Sequence, residues 1–376
     1  MDNKIKIQFD SIIEGFFWTS ESEKINNTEL VIKEGWSIFY LSNSEWKTYE
    51  LGFKLSNEDI DTFQQGIILK KFDEEEKMLE EFYYDFKKKG HTNYSYVYKD
   101  IPLRINWSIW WGKTFMRIRK LPSKMFTPAE LWIPEVIKNE IRNYKEGWLV
   151  IVSARPGSWK STTIASILQD LFDNEILNVV TLEDPIEYIY TKDSKAIIQQ
   201  REKVFDFDTF STWVEACMRQ SPDIVVVQEM TTPAIVREVM NLVEKWVMVI
   251  TTLHTSDVPS IFESILWSYE NIRRKEILNK LSTLFRCFIS QRLIKTKDWR
   301  SKVAVFEVLT NTNEVKWFIK DDNTSNLHQI MVREPHLLMS KSIMERIEDE
   351  KISLEDWLLS CPFSRQRDLK DLVGIE

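Results

Sequence analysis

The octapeptide Ala154-Arg155-Pro156-Gly157-Ser158-Trp159-Lys160-Ser161 constrains this chain more than any other feature. It follows the β-branched run Trp148 to Ser153 and precedes the helical pattern Thr162 to Phe172. Strand, loop and helix in that order form the setting of a phosphate-binding loop of the pattern GxxxxGK(S/T). In such a loop small residues let successive backbone N–H groups curl around phosphate oxygens, the lysine reaches the β- and γ-phosphates, and the Ser/Thr hydroxyl serves Mg²⁺. Residues Ala154, Arg155, Pro156, Gly157, Ser158, Trp159, Lys160, Ser161 and Thr162 are therefore the predicted nucleotide-binding set. Ala154 is a mild departure at the first position. Trp159 is a severe one, because it puts the largest side chain where the chain passes closest to the nucleotide and where glycine's freedom at φ > 0 is used.

Composition bears on that one letter. The chain has 15 tryptophans and 9 glycines, and no glycine stands between Ser158 and Val373. An α/β domain of that length would have to build its helix ends and tight turns without the residue best suited to them. Pooled, the two residue types make up about 6% of the chain, close to the usual ~7% share of glycine alone. The tryptophans also stand where glycines would: Asp298-Trp299-Arg300 between two apolar runs, Lys245-Trp246 between a helical pattern and a strand, and Trp110-Trp111-Gly112 in a polar loop. The expectation is that the gene uses UGA for glycine and that the present sequence reads UGA as tryptophan. A genuinely tryptophan-rich protein is the alternative.

At 376 residues the chain is long enough for two domains. Acidic residues outnumber basic ones, 58 to 50, and no long basic block offers a phosphate-backbone footprint, so nucleic acid is not expected as a partner. Cys217, Cys287 and Cys361 lie far apart without a CxxC, which points to buried, reduced thiols rather than a zinc ribbon or disulfide framework. The opening Met1-Asp2-Asn3-Lys4 does not read as a signal peptide, and no stretch approaches ~18 apolar residues. A soluble, cytoplasmic chain without direct membrane insertion is expected.

Residues 1 to about 120 read as a small α/β domain. Strand patterns at Glu29 to Lys33 and Ser37 to Leu41 precede a helical pattern from Glu74 to Lys89, and strands return at Tyr94 to Tyr98 and Phe115 to Arg119. Leu121 to Pro128 has two prolines and no periodicity, and reads as a linker, with the domains placed at 1–120 and 134–376 and the connection at 121–133. A helix from Pro134 to Asn143 follows. Trp148 to Ser153, Asn178 to Leu182, Asp223 to Val227 and Val247 to Thr252 are then short buried-strand patterns separated by helices, the alternation of a parallel sheet. Beyond about residue 275 the pattern is mostly helical, with a hairpin around Val303 to Leu309.

Three further polar clusters follow the loop in order: Thr181-Leu182-Glu183-Asp184-Pro185-Ile186-Glu187, Ser221-Pro222-Asp223-Ile224-Val225-Val226-Val227-Gln228-Glu229-Met230, and Thr252-Leu253-His254-Thr255. With the loop they resemble, in order, the Asp box, Walker B and His box of secretion ATPases. Across roughly residues 95–335 the chain is similar to the type IV pilus retraction ATPases of the PilT kind. Glycine at Trp159, Trp246 and Trp299 would sharpen each local match.

Phosphoryl transfer to water needs charge neutralised around the γ-phosphate and a carboxylate to orient the attacking water. Lys160 and Ser161 would supply the first. Glu229, at the end of an apolar strand, would face Mg²⁺ directly or through water. Glu183 and Glu187 end another strand, and the resemblance points to Glu187 as the group that polarises water. His254 is a candidate γ-phosphate sensor. The bland alternatives are a solvated strand end for Glu183 and Glu187, and a histidine that satisfies a backbone carbonyl. Four polar clusters at four strand ends favour the active reading, because ligands bind at the carboxyl edge of such sheets. The resemblance further implies that Arg104 and Arg119 of one subunit reach the nucleotide of its neighbour, with Arg117 a rival for Arg119, and it matches Arg219 and Arg201 to further family positions. Gln228, Thr231-Thr232 and Glu215 depart from the family pattern, and the segment Glu314 to Lys320 matches its counterpart only loosely.

The resemblance thus implies a RecA-like P-loop ATPase core with an N-terminal PAS-like α/β domain and a C-terminal helical region. It implies a homohexamer using ATP and Mg²⁺ to drive pilus retraction at the inner face of the cytoplasmic membrane, against an inner-membrane pilus platform protein. The short N-terminal region and the lack of a four-cysteine zinc module favour retraction over the extension and type II secretion ATPases. A catalytically inactive regulatory paralogue is the alternative that a literal Trp159 would require.

Overall fold

The computed structural model describes residues 13, 16 and 17 and then 27–355, apart from positions 34, 36–37, 43–44, 50–54, 72–75, 123–124, 191–193, 204, 208, 268–270, 299–300 and 334. Two compact units emerge: Met1–Lys124 with Glu183–Ile189 and Arg201–Asp208, and Met125–Leu182 with Tyr190–Gln200 and Thr209–Glu376. The first unit thus takes in two segments that the sequence reading places inside the second domain.

The first unit is built on strands β1 (Asn27–Lys33), β2 (Ile38–Ser42), β3 (Glu45–Tyr49), β4 (His91–Tyr98), β5 (Ile101–Trp110) and β6 (Lys113–Lys120). They form one sheet in the order β3-β2-β1-β6-β5-β4, with each neighbouring pair antiparallel. Helices α1 (Asn57–Lys71) and α2 (Glu76–Lys89) add Ile60, Ile67, Ile68, Phe82 and Phe86 to a core shared with Leu103, Ile105, Met116 and Ile118. Helix α1 has no counterpart in the sequence reading. Gly66 and the Ile67-Ile68 pair speak against a helix there. Packing overrides that propensity, because Ile60, Gln64, Ile67 and Ile68 are all buried at helical spacing.

The second unit carries the parallel sheet. Strands β7 (Leu149–Ser153), β8 (Asn178–Glu183), β9 (Ile197–Glu202), β10 (Ile224–Val227), β11 (Met248–Leu253), β12 (Phe285–Lys295) and β13 (Lys302–Thr310) lie in the order β13-β12-β7-β11-β10-β8-β9. Strands β12, β7, β11, β10 and β8 run parallel, and β13 returns antiparallel beside β12. Every residue of β7, β10 and β11 is buried, as a sheet covered on both faces requires. Val150, Val152, Ile224 and Ile250 share one core with Ile137 and Ile141 of α3 (Glu135–Arg142) and with Ile167, Leu168, Leu171 and Phe172 of α4 (Lys160–Asn174).

Side-chain caps start the crossover helices. Thr209 accepts from the N–H of Thr212 at the head of α5 (Phe210–Met218), Thr232 from Ile235 at α6 (Pro233–Glu244), and Asp257 from Ser260 at α7 (Val258–Leu266). Each cap contributes about 1 kcal/mol and fixes where a loop turns away from its strand. Helix α8 (Asn271–Leu284) then leads directly into β12. The expected helical character beyond residue 275 is therefore corrected at Phe285–Lys295, a strand of the sheet between β7 and the edge strand β13. Its almost continuous burial hides the alternation that would reveal it. Cys217 and Cys287 are buried free thiols, and Cys361 lies outside the described residues. Among the described residues no helix is long and apolar enough to cross a membrane.

Candidate nucleotide site

Strand β7 delivers the chain into the 154–159 loop, and α4 begins at Lys160. Three strand ends meet around this lysine. Lys160 is buried, and its ammonium donates to the Ala154 carbonyl at 3.0 Å and lies 3.1 Å from His254 Nδ1, just past β11. On the other side of the ring, His254 Nε2 lies 3.0 Å from Glu229 Oε1, just past β10. An ammonium can only donate and a carboxylate can only accept. The tautomer that satisfies both contacts is the neutral imidazole with its proton on Nε2. The result is a continuous line, Lys160 to His254 to Glu229, in which a positive group, a polarisable ring and a carboxylate share one proton register.

The backbone around the loop is braced from neighbouring strands. The N–H of Ala154 donates to the Leu253 carbonyl at 3.3 Å, and that of Met230 to the Thr252 carbonyl at 3.1 Å. Thr252 donates its hydroxyl to the Gln228 carbonyl, so the glutamine in place of the family's glycine takes part through its main chain. Gln291 of β12 is almost fully buried. Its amide nitrogen donates to the Ser158 carbonyl at 2.8 Å while its oxygen accepts from the Thr163 hydroxyl at 2.7 Å, tying the loop and the first turn of α4 to the sheet. Sequence reading missed this residue. Its signal is the polar triplet Ser290-Gln291-Arg292 inside an otherwise apolar run. Ser161 and Thr162 stand in the first turn of α4, where the helix dipole favours an anion.

The first unit holds Arg104, Arg119, Arg201, Glu183 and Glu187, and the second holds Arg219. Arg104 of β5 donates from Nη1 to Glu187 Oε1 at 2.9 Å. The Glu187 N–H reaches Glu183 Oε2 at 3.4 Å, and Lys203 pairs with Asp184 at 2.6 Å. Glu202, buried and unassigned by the sequence, accepts from the N–H groups of Ser95 at 2.6 Å and Ile186 at 3.3 Å and so ties the Glu183 to Glu187 segment to β4. Arg119 is engaged elsewhere: it shares the buried Glu29 with Arg117, at 3.1 and 2.8 Å respectively. Arg219 is exposed at the C-terminal end of α5, and Arg201 is half-buried on β9. Of the family departures, Glu215 lies on α5 and Thr232 serves as the cap of α6.

Residues 135–329 match the family described as type II/IV secretion system protein. The chain belongs to that family. It is 30% identical over 216 residues to the uncharacterized protein YggR of Escherichia coli K12, an alignment covering 57% of this chain and 65% of the relative. With the type IV pilus retractation ATPase PilT of Pseudomonas aeruginosa it shares 31% identity over 210 residues, 56% of this chain and 60% of the relative. The type IV pilus ATPase PilU of the same organism is 27% identical over 69% of this chain and 68% of its own length. The chain therefore spans somewhat under two thirds of the first two relatives. Among solved structures the fold is similar to that of the Legionella pneumophila ATPase DotB (TM-score 0.80, 21% identity, 94% of both chains). It is also similar to the pilus retraction motor PilT with bound ADP (TM-score 0.79, 22% identity, 96% of this chain and 98% of the other). The fold of this family member is the RecA-like α/β fold of those secretion ATPases, preceded by an α/β domain.

Proposed function

We propose that this chain is an ATPase that hydrolyses ATP to drive type IV pilus retraction, working as a homohexameric ring at the inner face of the cytoplasmic membrane against an inner-membrane platform protein. The observation that carries the reading is the Lys160, His254 and Glu229 line at the mouth of a strand-loop-helix phosphate loop. The names of the relatives PilT and PilU support the pilus duty. The Lys160 ammonium rests on the Ala154 carbonyl and the histidine ring. ATP would draw that charge to its β- and γ-phosphates, leaving His254 free to donate toward the γ-phosphate and Glu229 free of the ring. The Ser161 hydroxyl and the Glu229 carboxylate are hard oxygen donors of the kind Mg²⁺ takes, directly or through water. The ion would neutralise charge that builds on the phosphates during transfer.

Glu187 is the proposed water-orienting carboxylate, and Arg104 the arginine offered to a neighbouring subunit's nucleotide. Their ion pair joins side chains about 30% exposed, so opening it costs on the order of 1 kcal/mol or less. Such a pair suits a group that changes partners. Replacing Glu187 or Glu229 by Gln keeps shape and removes the carboxylate, so turnover should fall ~10²-fold or more while ATP still binds. Unchanged steady-state hydrolysis in both variants would refute the site. A second reading, a weakly binding regulatory paralogue, rests on one observation: an indole at position 159 of the loop.

A further inference from the structure

Nine described residues other than glycine adopt positive φ, and four of them are tryptophan: Trp111 (φ 53), Trp132 (φ 50), Trp159 (φ 61) and Trp246 (φ 69). For so bulky a side chain each is an outlier, since Cβ crowds the following carbonyl there. Three of them, Trp111, Trp132 and Trp246, also occupy places whose local hydrogen bonding defines a glycine position.

Trp110 pairs with Lys113 across β5 and β6, which leaves Trp111 and Gly112 as a two-residue hairpin loop. Both residues have positive φ, 53° and 71°. That is the type I′ turn, which calls for Asn-Gly or Gly-Gly. At the end of α6 the N–H of Val247 bonds to the Leu242 carbonyl at 3.3 Å and that of Trp246 to the Val243 carbonyl at 3.0 Å. This is the Schellman pattern, with Trp246 in the left-handed position where glycine is usual. The same pair of bonds recurs at Ile133 to Pro128 (2.9 Å) and Trp132 to Ala129 (3.1 Å), with Trp132 in the equivalent position. The main chain of Trp246 also passes so near Gly147 that a Cβ at 147 would stand 2.3 Å from Trp246 Cα, a crossing that small residues permit. Trp159 caps α4 with φ 61 and ψ 27 and makes no side-chain capping bond.

The rings gain little in return. Trp111 and Trp246 are 88% and 74% exposed, and Trp159 is 36% exposed. Burial that would offset a strained backbone is missing at Trp111 and Trp246.

We propose that positions 111, 132, 159 and 246 carry glycine in the protein its host makes, the gene reading UGA as glycine. Tryptophan then enters only when UGA is decoded as tryptophan. The backbone alone carries this inference, which does not depend on the ATPase reading. In a recombinant chain the indole at 159 would shut the phosphate loop, while in the host the loop would offer bare N–H groups to an anion.

The decisive measurements are the codons at these four positions and the peptide masses of protein isolated from the host. UGA at all four is expected, with each peptide about 129 Da lighter than the tryptophan form, the mass of a side chain replaced by hydrogen. UGG at any one of them, or a tryptophan mass in its peptide, overturns the proposal. In recombinant protein, Trp111→Gly, Trp132→Gly and Trp246→Gly together should raise Tm, by roughly 2–4 °C for each relieved site. A lower Tm in that variant would also overturn it. Trp159→Gly is kept apart for nucleotide binding with a fluorescent ATP analogue. It should tighten binding by roughly tenfold, the equivalent of one relieved left-handed residue. No gain there, beside UGA codons and glycine masses, would sink the ATPase reading and leave the four glycines in place.

Discussion

The two sheets of this chain dispose their charge in opposite ways. In the second unit the three central strands β7, β10 and β11 are buried and uncharged throughout, and Lys160, Glu229 and His254 stand just past their ends. In the first unit charge sits along the strands themselves, with Arg104 on β5 reaching Glu187, and Arg117 and Arg119 on β6 reaching Glu29 on β1. A strand buried on both faces offers no wet side for a charge, and in these three strands charge falls past the end. An antiparallel sheet with one open face can carry arginines in its middle and aim them outward. The first arrangement gathers three polar side chains at one sheet edge, and the second holds its arginines in ion pairs along the strands.

The largest expected effect separates those two roles. Lys160→Ala removes the loop's only lysine and should abolish nucleotide binding, whereas Arg104→Ala should spare binding and lose hydrolysis by ~10²-fold or more. Mixed rings of the two variants should recover part of the activity if Arg104 serves a neighbouring subunit. Failure to recover at every mixing ratio, with both proteins assembled, would show that the site is complete in one chain. Next comes the brace behind the loop. Gln291→Ala leaves the Ser158 carbonyl and the Thr163 hydroxyl without this partner, a loss of about 1–3 kcal/mol, and nucleotide affinity should weaken about tenfold with kcat less affected. An equal fall in kcat and rise in KM would mean that the brace acts on catalysis instead.

A smaller effect is expected at the far edge of the same sheet, where the buried His336 Nδ1 accepts from the N–H and hydroxyl of Thr310 at 3.2 and 3.0 Å. Burial holds the His336 pKa below its ordinary value of 6.5, against a partial opposing pull from Glu314. The unfolded chain then binds the proton more readily. The stability contributed by the neutral ring is present above pH 6.5 and is lost as pH falls toward the folded pKa. Chemical denaturation between pH 7.5 and pH 5, near and below the reference value of about 6.5, should show a drop in stability that His336→Gln flattens. The smallest effect belongs to Arg119→Ala, because Arg117 still serves Glu29 and a half-exposed pair is worth under about 1 kcal/mol. A large loss of hydrolysis in that variant would instead place Arg119 beside Arg104 as a cation used by a neighbour.

What the sequence discloses follows the same division. The loop, Glu229 and His254 are legible because each lies in a short polar string immediately after a buried β-branched run, and the run reports the strand. Glu187 and Arg104 can be named from the family resemblance, but their mutual contact cannot, since 83 residues separate them. Strand β12 goes unseen because its burial leaves no alternation, and Gln291 and Glu202 because a polar residue in such a run does not say what it braces. Their meaning resides in the carbonyls, hydroxyls and N–H groups they meet across the fold. Helix α1 is hidden for the converse reason: its local preferences oppose the state that packing imposes.

The Gln291 brace has a consequence for how the protein comes into being. It joins residues 133 positions apart, so after Ser158 leaves the ribosome the amide that will steady its carbonyl has yet to be synthesised. At ~5–20 residues per second that interval is on the order of ten seconds. During it the loop, its helix and the first parallel strands exist without their tether. The loop is braced only when β12 takes its place beside β7, which makes one late strand the last step in fixing the turn from strand to helix.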